Sequence, residues 1–417
     1  MKIAMVYDAV YPWIKGGGEK HVYELAIELH RRGHEVHLFS MQYWGGPADM
    51  LRDGLHYHGL CRGAALYTRS GRRGWLPPLR FAWGVLWKLP RYRLREFDVI
   101  DVLAFPFLSV PVFVAIRWLW ARRVPWILTW LEVWGPKYWR GYLGRGGWLG
   151  AKIERWCAHL GRRHRCISPT TARRLHDLLG VARDDIEVIP CGFSLPEGVT
   201  SNVPKDPHKL VAAGRLVHNK RIDVLLHAWP QVVTQFPLAR LDILGDGPER
   251  AACEHLAAEL GILSSVRFHG QIGRWQDVLQ QIASASLLLH PSEREGQGLV
   301  VIESMALGTP VLVATGPETA AGDFLGDGPE RNLALLPVDA SAEQWAMRIV
   351  ELLSNPPILA RLAEHGWRHS AALDWRESIG PAMEQYYRSV VGNVPFQYQE
   401  KPTACELTHL PGHNVHQ

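Results

Sequence analysis

The run Ala283-Ser-Ala-Ser-Leu-Leu-Leu-His290, followed directly by Pro291-Ser-Glu-Arg-Glu-Gly-Gln-Gly-Leu-Val-Val-Ile-Glu-Ser-Met-Ala306, decides the fold class of this chain. The first eight residues have the apolar pattern of a buried strand, and from Leu299 apolar residues continue at a length and spacing that suit a helix. Gly308-Thr-Pro310 closes that helix before a further strand, Val311-Leu-Val-Ala314. Strand, glycine turn, helix and strand in immediate succession form the unit of a parallel α/β sheet. Gly296 and Gly298 let the backbone bend and come close to a ligand. The helix starting near Leu299 turns its unpaired amides and positive dipole end toward that bend, so an anion is expected there. Glu303 follows Leu299 by one helical turn, within reach of hydroxyls on the same ligand, and Glu295 precedes the glycines. A bare pair of acids at this spacing is more often a solvated loop acid and a first-turn acid. The order of the surrounding elements is what favours a site.

The same alternation runs through the rest of the chain. Lys2 to Tyr7, Glu19 to Arg32 and His34 to Ser40 read as strand, helix and strand, with further strands at Asp98 to Leu103 and Trp126 to Thr129. After Pro190-Cys-Gly-Phe-Ser-Leu-Pro-Glu-Gly198, turn formers crowd and apolar residues thin out between Thr200 and His208, which places a linker there. A second series follows, with strands at Lys209 to Ala213, Arg240 to Leu244 and Val266 to His269, and helices at Arg221 to Phe236 and Glu249 to Leu260. Two Rossmann-like α/β domains are expected, over residues 1–200 and 201–375. A helix over 376–392 and a loose tail over 393–417 follow. Residues 105–120 are strongly apolar but carry Pro111 and Arg117 and fall short of the roughly 20 residues a membrane span needs, so they read as a buried helix. The heptapeptide Leu-Gly-Asp-Gly-Pro-Glu-Arg at 244–250 recurs at 325–331, and both copies read as turns.

With 47% hydrophobic and 21% charged residues, the composition is that of a soluble globular protein. Six scattered cysteines without a ligand spacing, and no signal peptide before the first strand, point to reduced thiols, a cytoplasmic setting and no structural zinc. Net charge is +5 but uneven. Residues 62–95 hold nine basic residues, including Arg69, Arg72, Arg73, Arg80, Lys88, Arg91 and Arg93, and no acid. They are interleaved with Trp75, Phe81, Trp83, Trp87 and Tyr92. That pattern suggests an anionic membrane surface, at the inner face of a membrane. A solvated helix with a packed aromatic face is the plainer alternative, and no motif supports nucleic-acid binding.

Two further constellations bear on chemistry. Lys15-Gly-Gly-Gly-Glu-Lys20 lies between the first strand and the first helix, so Gly16 and Gly17 could approach a phosphate, although a plain tight turn fits this loop equally well. Ala212-Ala-Gly-Arg-Leu-Val-His-Asn-Lys220 ends a strand and delivers Arg215 and Lys220, two cations able to neutralise a diphosphate at the sheet edge where α/β ligands bind. No Asp-Xaa-Asp pair occurs and no His/carboxylate group has metal-ligand spacing, so neither a metal nor a cofactor is indicated.

Together with Gly16-Gly-Gly-Glu-Lys-His-Val-Tyr-Glu-Leu-Ala26, Arg32-Gly-His-Glu-Val36, Ser168-Pro-Thr-Thr171 and Val188-Ile-Pro-Cys-Gly192, these motifs resemble the family-4 retaining glycosyltransferases over nearly the whole chain. The resemblance implies the GT-B fold, with two Rossmann-like domains facing each other across a cleft and a last helix crossing back to the first. It implies transfer of a sugar from a nucleotide diphosphate sugar to a glycan or lipid-linked acceptor, as in surface polysaccharide or glycolipid assembly. Arg215 and Lys220 would then bind the diphosphate, Glu295 lie beside the donor sugar, and Glu303 bind the nucleotide ribose. Gly298 and Leu299 would belong to the donor site, with Gly16 and Gly17 facing it across the cleft. Three positions depart from the family pattern. Leu131 stands where a histidine is common, leaving Glu132 as a substitute on the acceptor side; Cys191 replaces an asparagine; and Gln297 replaces an aromatic. A sugar-nucleotide epimerase of the same architecture and a non-catalytic donor-binding protein are the alternatives.

Overall fold

The structure, a computed structural model, describes residues 1–66, 74, 76–201, 203–396 and 398. Arg69, Arg72, Arg73 and Trp75 of the basic stretch, and nearly all of the expected loose tail, lie outside the described residues. The first sheet contains eight strands: β1 (Lys2–Val6), β2 (Glu35–Gln42), β3 (Asp49–Arg52), β4 (Leu55–Arg62), β5 (Val99–Leu103), β6 (Trp126–Trp130), β7 (His164–Cys166) and β8 (Ile186–Val188). Their spatial order is β3-β4-β2-β1-β5-β6-β7-β8. All neighbours are parallel except β3, which pairs antiparallel with β4. The second sheet, β9 (Asp206–Ala213), β10 (Arg240–Leu244), β11 (Val266–Gly270), β12 (Ala285–His290), β13 (Val311–Thr315) and β14 (Leu335–Pro337), is wholly parallel in the order β11-β10-β9-β12-β13-β14.

Helices cover both faces of each sheet, which is why the central strands read as unbroken apolar runs. Ile3, Ala4, Met5 and Val6 of β1 and Leu287, Leu288 and Leu289 of β12 are all buried. In each sheet the strand order reverses beside the first strand of the series, between β1 and β5 and between β9 and β12. Crevices at the carboxyl ends of such neighbouring strands are where open α/β sheets take ligands. The Gly214–Lys220 segment leaves β9 and the Pro291–Gly298 segment leaves β12, so the two motifs emerge side by side.

The chain passes between the sheets twice, and the two passages touch. Phe193 donates its amide to the Leu373 carbonyl at 2.8 Å and bridges Asp374, while Ser194 Oγ donates to Asp374 Oδ2 at 2.8 Å. Beyond Trp375 the chain makes one wide turn to Ile379 and then the helix Gly380–Gly392, which packs on the first half. Trp375 Nε1 donates to Glu24 Oε2 at 3.1 Å and the buried Tyr387 hydroxyl donates to Asp101 Oδ2 at 2.7 Å.

One reading needs correction. The stretch 105–120 is not a buried helix throughout. The helix Ser109–Trp120 buries Val110, Phe113 and Ile116 on one face and exposes Trp118, Leu119 and Trp120 at its end. The basic stretch is divided too: in the helix Leu76–Lys88, Phe81 and Val85 pack inward while Trp83 and Trp87 face outward with Arg80.

Candidate active site

Between the two halves lies a cleft of about 1500 Å³. Gly16, Gly17, Glu132, Arg215, Lys220, Glu295, Gly298, Leu299 and Glu303 all line it, so every candidate donor- or acceptor-site residue read from the sequence faces the same space.

The donor-side geometry starts from the backbone. Gly298 has φ of +77°, a left-handed conformation that disfavours side chains, and it caps the helix Leu299–Ala306 with no side-chain hydrogen bond to the first amides. The end of that helix is therefore open to the cleft. Glu295 forms an ion pair with Lys220 and accepts from His290 Nε2 at 2.9 Å. Burial alone would raise the Glu295 pKa. The Lys220 ammonium and the His290 imidazole outweigh burial and hold this carboxyl well below the usual carboxylate range. Burial pushes His290 down, against the pull of Glu295. Glu303 accepts from Lys20 Nζ at 2.9 Å and from Trp275 Nε1 at 3.1 Å, and Lys20 sits 3.0 Å above the Trp275 ring centroid. Arg215 lines the cleft beside this group.

The opposite wall belongs to the first half. Gly16 is extended and precedes the helix Gly17–Arg31, again without a side-chain cap, so a second open helix end meets the cleft. Glu132 does not stand alone on the acceptor side. It is ion-paired with Arg294 Nε from the other half, and the Arg294 guanidinium lies 3.4 Å from the Tyr138 ring centroid.

The three departures have structural counterparts. The Gln297 side chain accepts from the Cys191 amide at 2.7 Å and donates to the Cys191 carbonyl at 2.9 Å. Only one orientation of the amide satisfies both bonds, and it joins the halves through backbone atoms that any residue at 191 would offer. Leu131 packs close to Gly18, and its carbonyl sits against Gly296. Sequence reasoning passed over His290, Lys20, Arg294 and Trp275. Lys20 lies inside the quoted glycine motif, but its partner Glu303 is brought to it only by the fold; His290 ends the strand run five residues before its partner Glu295, a local signal that was there to be read.

Two open helix ends and a set of cations facing one interdomain space define a two-lobed architecture with a cleft suited to an anion. Residues 199–369 match the family described as glycosyl transferases group 1, and residues 15–197 match glycosyltransferase family 4. The chain belongs to the family-4 glycosyltransferases, with the GT-B fold. It is 32% identical over 233 residues to the lipopolysaccharide core biosynthesis glycosyltransferase of Rhizobium meliloti (strain 1021), a match covering 54% of this chain and 63% of that protein. With a D-inositol 3-phosphate glycosyltransferase of Kineococcus radiotolerans it shares 26% identity over 407 residues, covering 90% and 91% of the two chains. The chain spans about half to just under two thirds of the first curated relatives it matches. The solved sucrose-phosphate synthase of Thermosynechococcus elongatus superimposes with a TM-score of 0.75 at 22% identity, covering 94% of this chain and 99% of that one.

Proposed function

We propose that this protein is a retaining glycosyltransferase that moves a sugar from a nucleotide diphosphate sugar to a glycan or lipid-linked acceptor, without a metal ion. The observation that carries this reading is the convergence of Arg215, Lys220, Glu295 and Glu303 on one cleft. In this reading Arg215, Lys220 and the Leu299 helix end take the diphosphate and stabilise the charge that builds on it as the sugar departs. Glu303 takes the ribose hydroxyls, which requires Lys20 to yield its place on that carboxylate. Glu295, ionised and held by Lys220 and His290, lies beside the sugar and stabilises the developing positive charge at its anomeric carbon. The acceptor enters from the Gly16–Gly17 side and attacks on the face from which the diphosphate leaves, giving up its proton to a leaving phosphate oxygen. Closure of the lobes excludes water and suppresses hydrolysis.

A thermal-shift screen of UDP-, GDP- and ADP-sugars, followed by nucleoside diphosphate release with membrane extract as acceptor, tests the reading. Transfer with retained configuration is expected for one donor, falling by two to three orders of magnitude in Glu295→Gln while donor binding persists. Isomerised free donor would make the protein an epimerase, and binding without turnover would make it a silent donor-binding protein.

A peripheral membrane site is a second part of the proposal. Trp83 (64% exposed) and Trp87 on one helix and Trp118 (61% exposed), Leu119 and Trp120 on its neighbour stand outward near Arg80, Arg122 and Arg123. Aromatic rings with basic rims suit an anionic bilayer surface. No helix among the described residues is long and apolar enough to cross a membrane. The protein is expected to sediment with phosphatidylglycerol vesicles and not with phosphatidylcholine ones, and Trp83→Ser with Trp118→Ser to release it. Equal sedimentation of the variant would remove this part and leave the chemistry standing.

A further inference from the structure

Far from the cleft loops, at the amino-terminal ends of β2 and β4, histidines gather on one face of the first sheet. His37 is the direct strand partner of His56, and Glu35 precedes His37 by two residues, so all three side chains share that face. One ligating atom from each of Glu35, His37 and His56 falls within 4.8 Å of the others. The sequence shows no metal-type spacing here because the third residue comes from the neighbouring strand.

The hydrogen-bond chain through this cluster does not close with neutral imidazoles. Glu35 Oε1 lies 2.8 Å from His37 Nε2, His37 Nδ1 lies 2.8 Å from His58 Nε2, and His58 Nδ1 lies 2.8 Å from Asp49 Oδ1. Those are three links between two carboxylates, and two neutral imidazoles bring only two N–H groups. Asp49, which also accepts from the Tyr92 hydroxyl at 2.7 Å, fixes the proton on His58 Nδ1. His58 Nε2 must then accept from His37 Nδ1, which leaves the lone pair of His37 Nε2 facing a carboxylate oxygen. The chain lacks one positive charge at that point.

We propose that Glu35, His37 and His56 bind a divalent transition metal of the zinc type, which fills that gap and pins the β3–β4 edge to β2. His58 and Asp49 form the supporting relay that sets the His37 tautomer and aims its Nε2, the role outer partners play at metal-bound histidines. Tetrahedral zinc bonds of about 2.0–2.1 Å set the ligand atoms roughly 3.3 Å apart, so the Glu35–His37 contact of 2.8 Å opens slightly while the His56 ring swings out of its stack and draws in. Exposed Glu35 and half-buried His56, whose ring stacks on His37 at 4.5 Å, are free to make that adjustment. Water completes the coordination. Lys2 Nζ, 3.2 Å from Glu35 Oε1, competes for the same carboxylate.

Metal-stripped full-length protein titrated with Zn²⁺ by calorimetry, and with Co²⁺ by visible absorption, tests the site. One tight equivalent with a tetrahedral cobalt spectrum is expected. Affinity should fall more than tenfold in His56→Gln and in Glu35→Gln, and rise severalfold in Lys2→Met, which no unrelated histidine would report. Both weakened variants keep His409, His413 and His416, so uptake unchanged in them belongs elsewhere and overturns the proposal. Absence of a tight equivalent in the parent protein also overturns it, leaving a proton in the gap. Circular dichroism of His56→Gln, a half-buried position, shows that a loss of uptake is not a loss of fold.

Discussion

The two glycine turns that face each other across the cleft bend for different reasons. In the C-terminal half, Gly298 has a left-handed backbone and Gly296 lies against the Leu131 carbonyl, so the backbone itself disfavours a side chain at either position. In the N-terminal half, Gly16 is extended, an ordinary conformation, and a methyl group there would meet only the carboxylate end of the Glu19 side chain. The C-terminal turn is thus held by the main chain beside a half-buried ion pair, while the N-terminal turn meets only a side chain, Glu19. A site that must fix one ligand while accommodating a second benefits from that division.

The comparison can be broken at several points. The largest effect is expected at the ion pair. Glu295→Gln leaves Lys220 without its partner and should cost about 3 kcal/mol in urea unfolding near neutral pH. Because the folded Glu295 pKa lies below its unfolded value, the pair's contribution is fully present above about pH 4.3 and fades as pH falls below it. The gap between parent and variant should therefore narrow only in acid, and a gap that narrowed between pH 7 and 5 would contradict the assignment. Gly296→Ala should cost about 1–3 kcal/mol by forcing the halves apart at Leu131, and Gly298→Ala about 1–2 kcal/mol through its dihedral angle. Gly16→Ala should cost less, about 1 kcal/mol, since only the buried Glu19 carboxylate, held by the Tyr7 hydroxyl, has to give way. A Gly16 variant as damaging as the Gly296 one would erase the distinction between the two turns.

Much of this arrangement was legible before any coordinates. The run from Ala283 to Ala306 announced its strand, turn and helix because the apolar pattern changes character at the two glycines, and Arg215 and Lys220 were legible as strand-end cations for the same reason. The antiparallel edge β3–β4 was not expected, although its signal was present. Asp53 and Gly54, both at positive φ, form the Asp-Gly turn typical of a hairpin. Arg294 and Lys20 were unreadable for another cause: each acts through a partner that sequence distance conceals, whereas His290 lies five residues from Glu295 and was passed over as the last residue of an apolar strand. Arg294 reaches Glu132 across 162 positions and Lys20 reaches Glu303 across 283. The helix ending at Trp120 misled because hydrophobicity alone does not say which side of an element meets solvent.

The paired passages at Phe193 and Asp374 have a mechanical meaning. In the closure proposed above, two covalent crossings laid side by side would favour a swing about the line joining them over sliding or twisting. A gate hung on such a double pivot returns to the same closed position each time, so a catalytic register divided between separate lobes need not be found anew on every turnover.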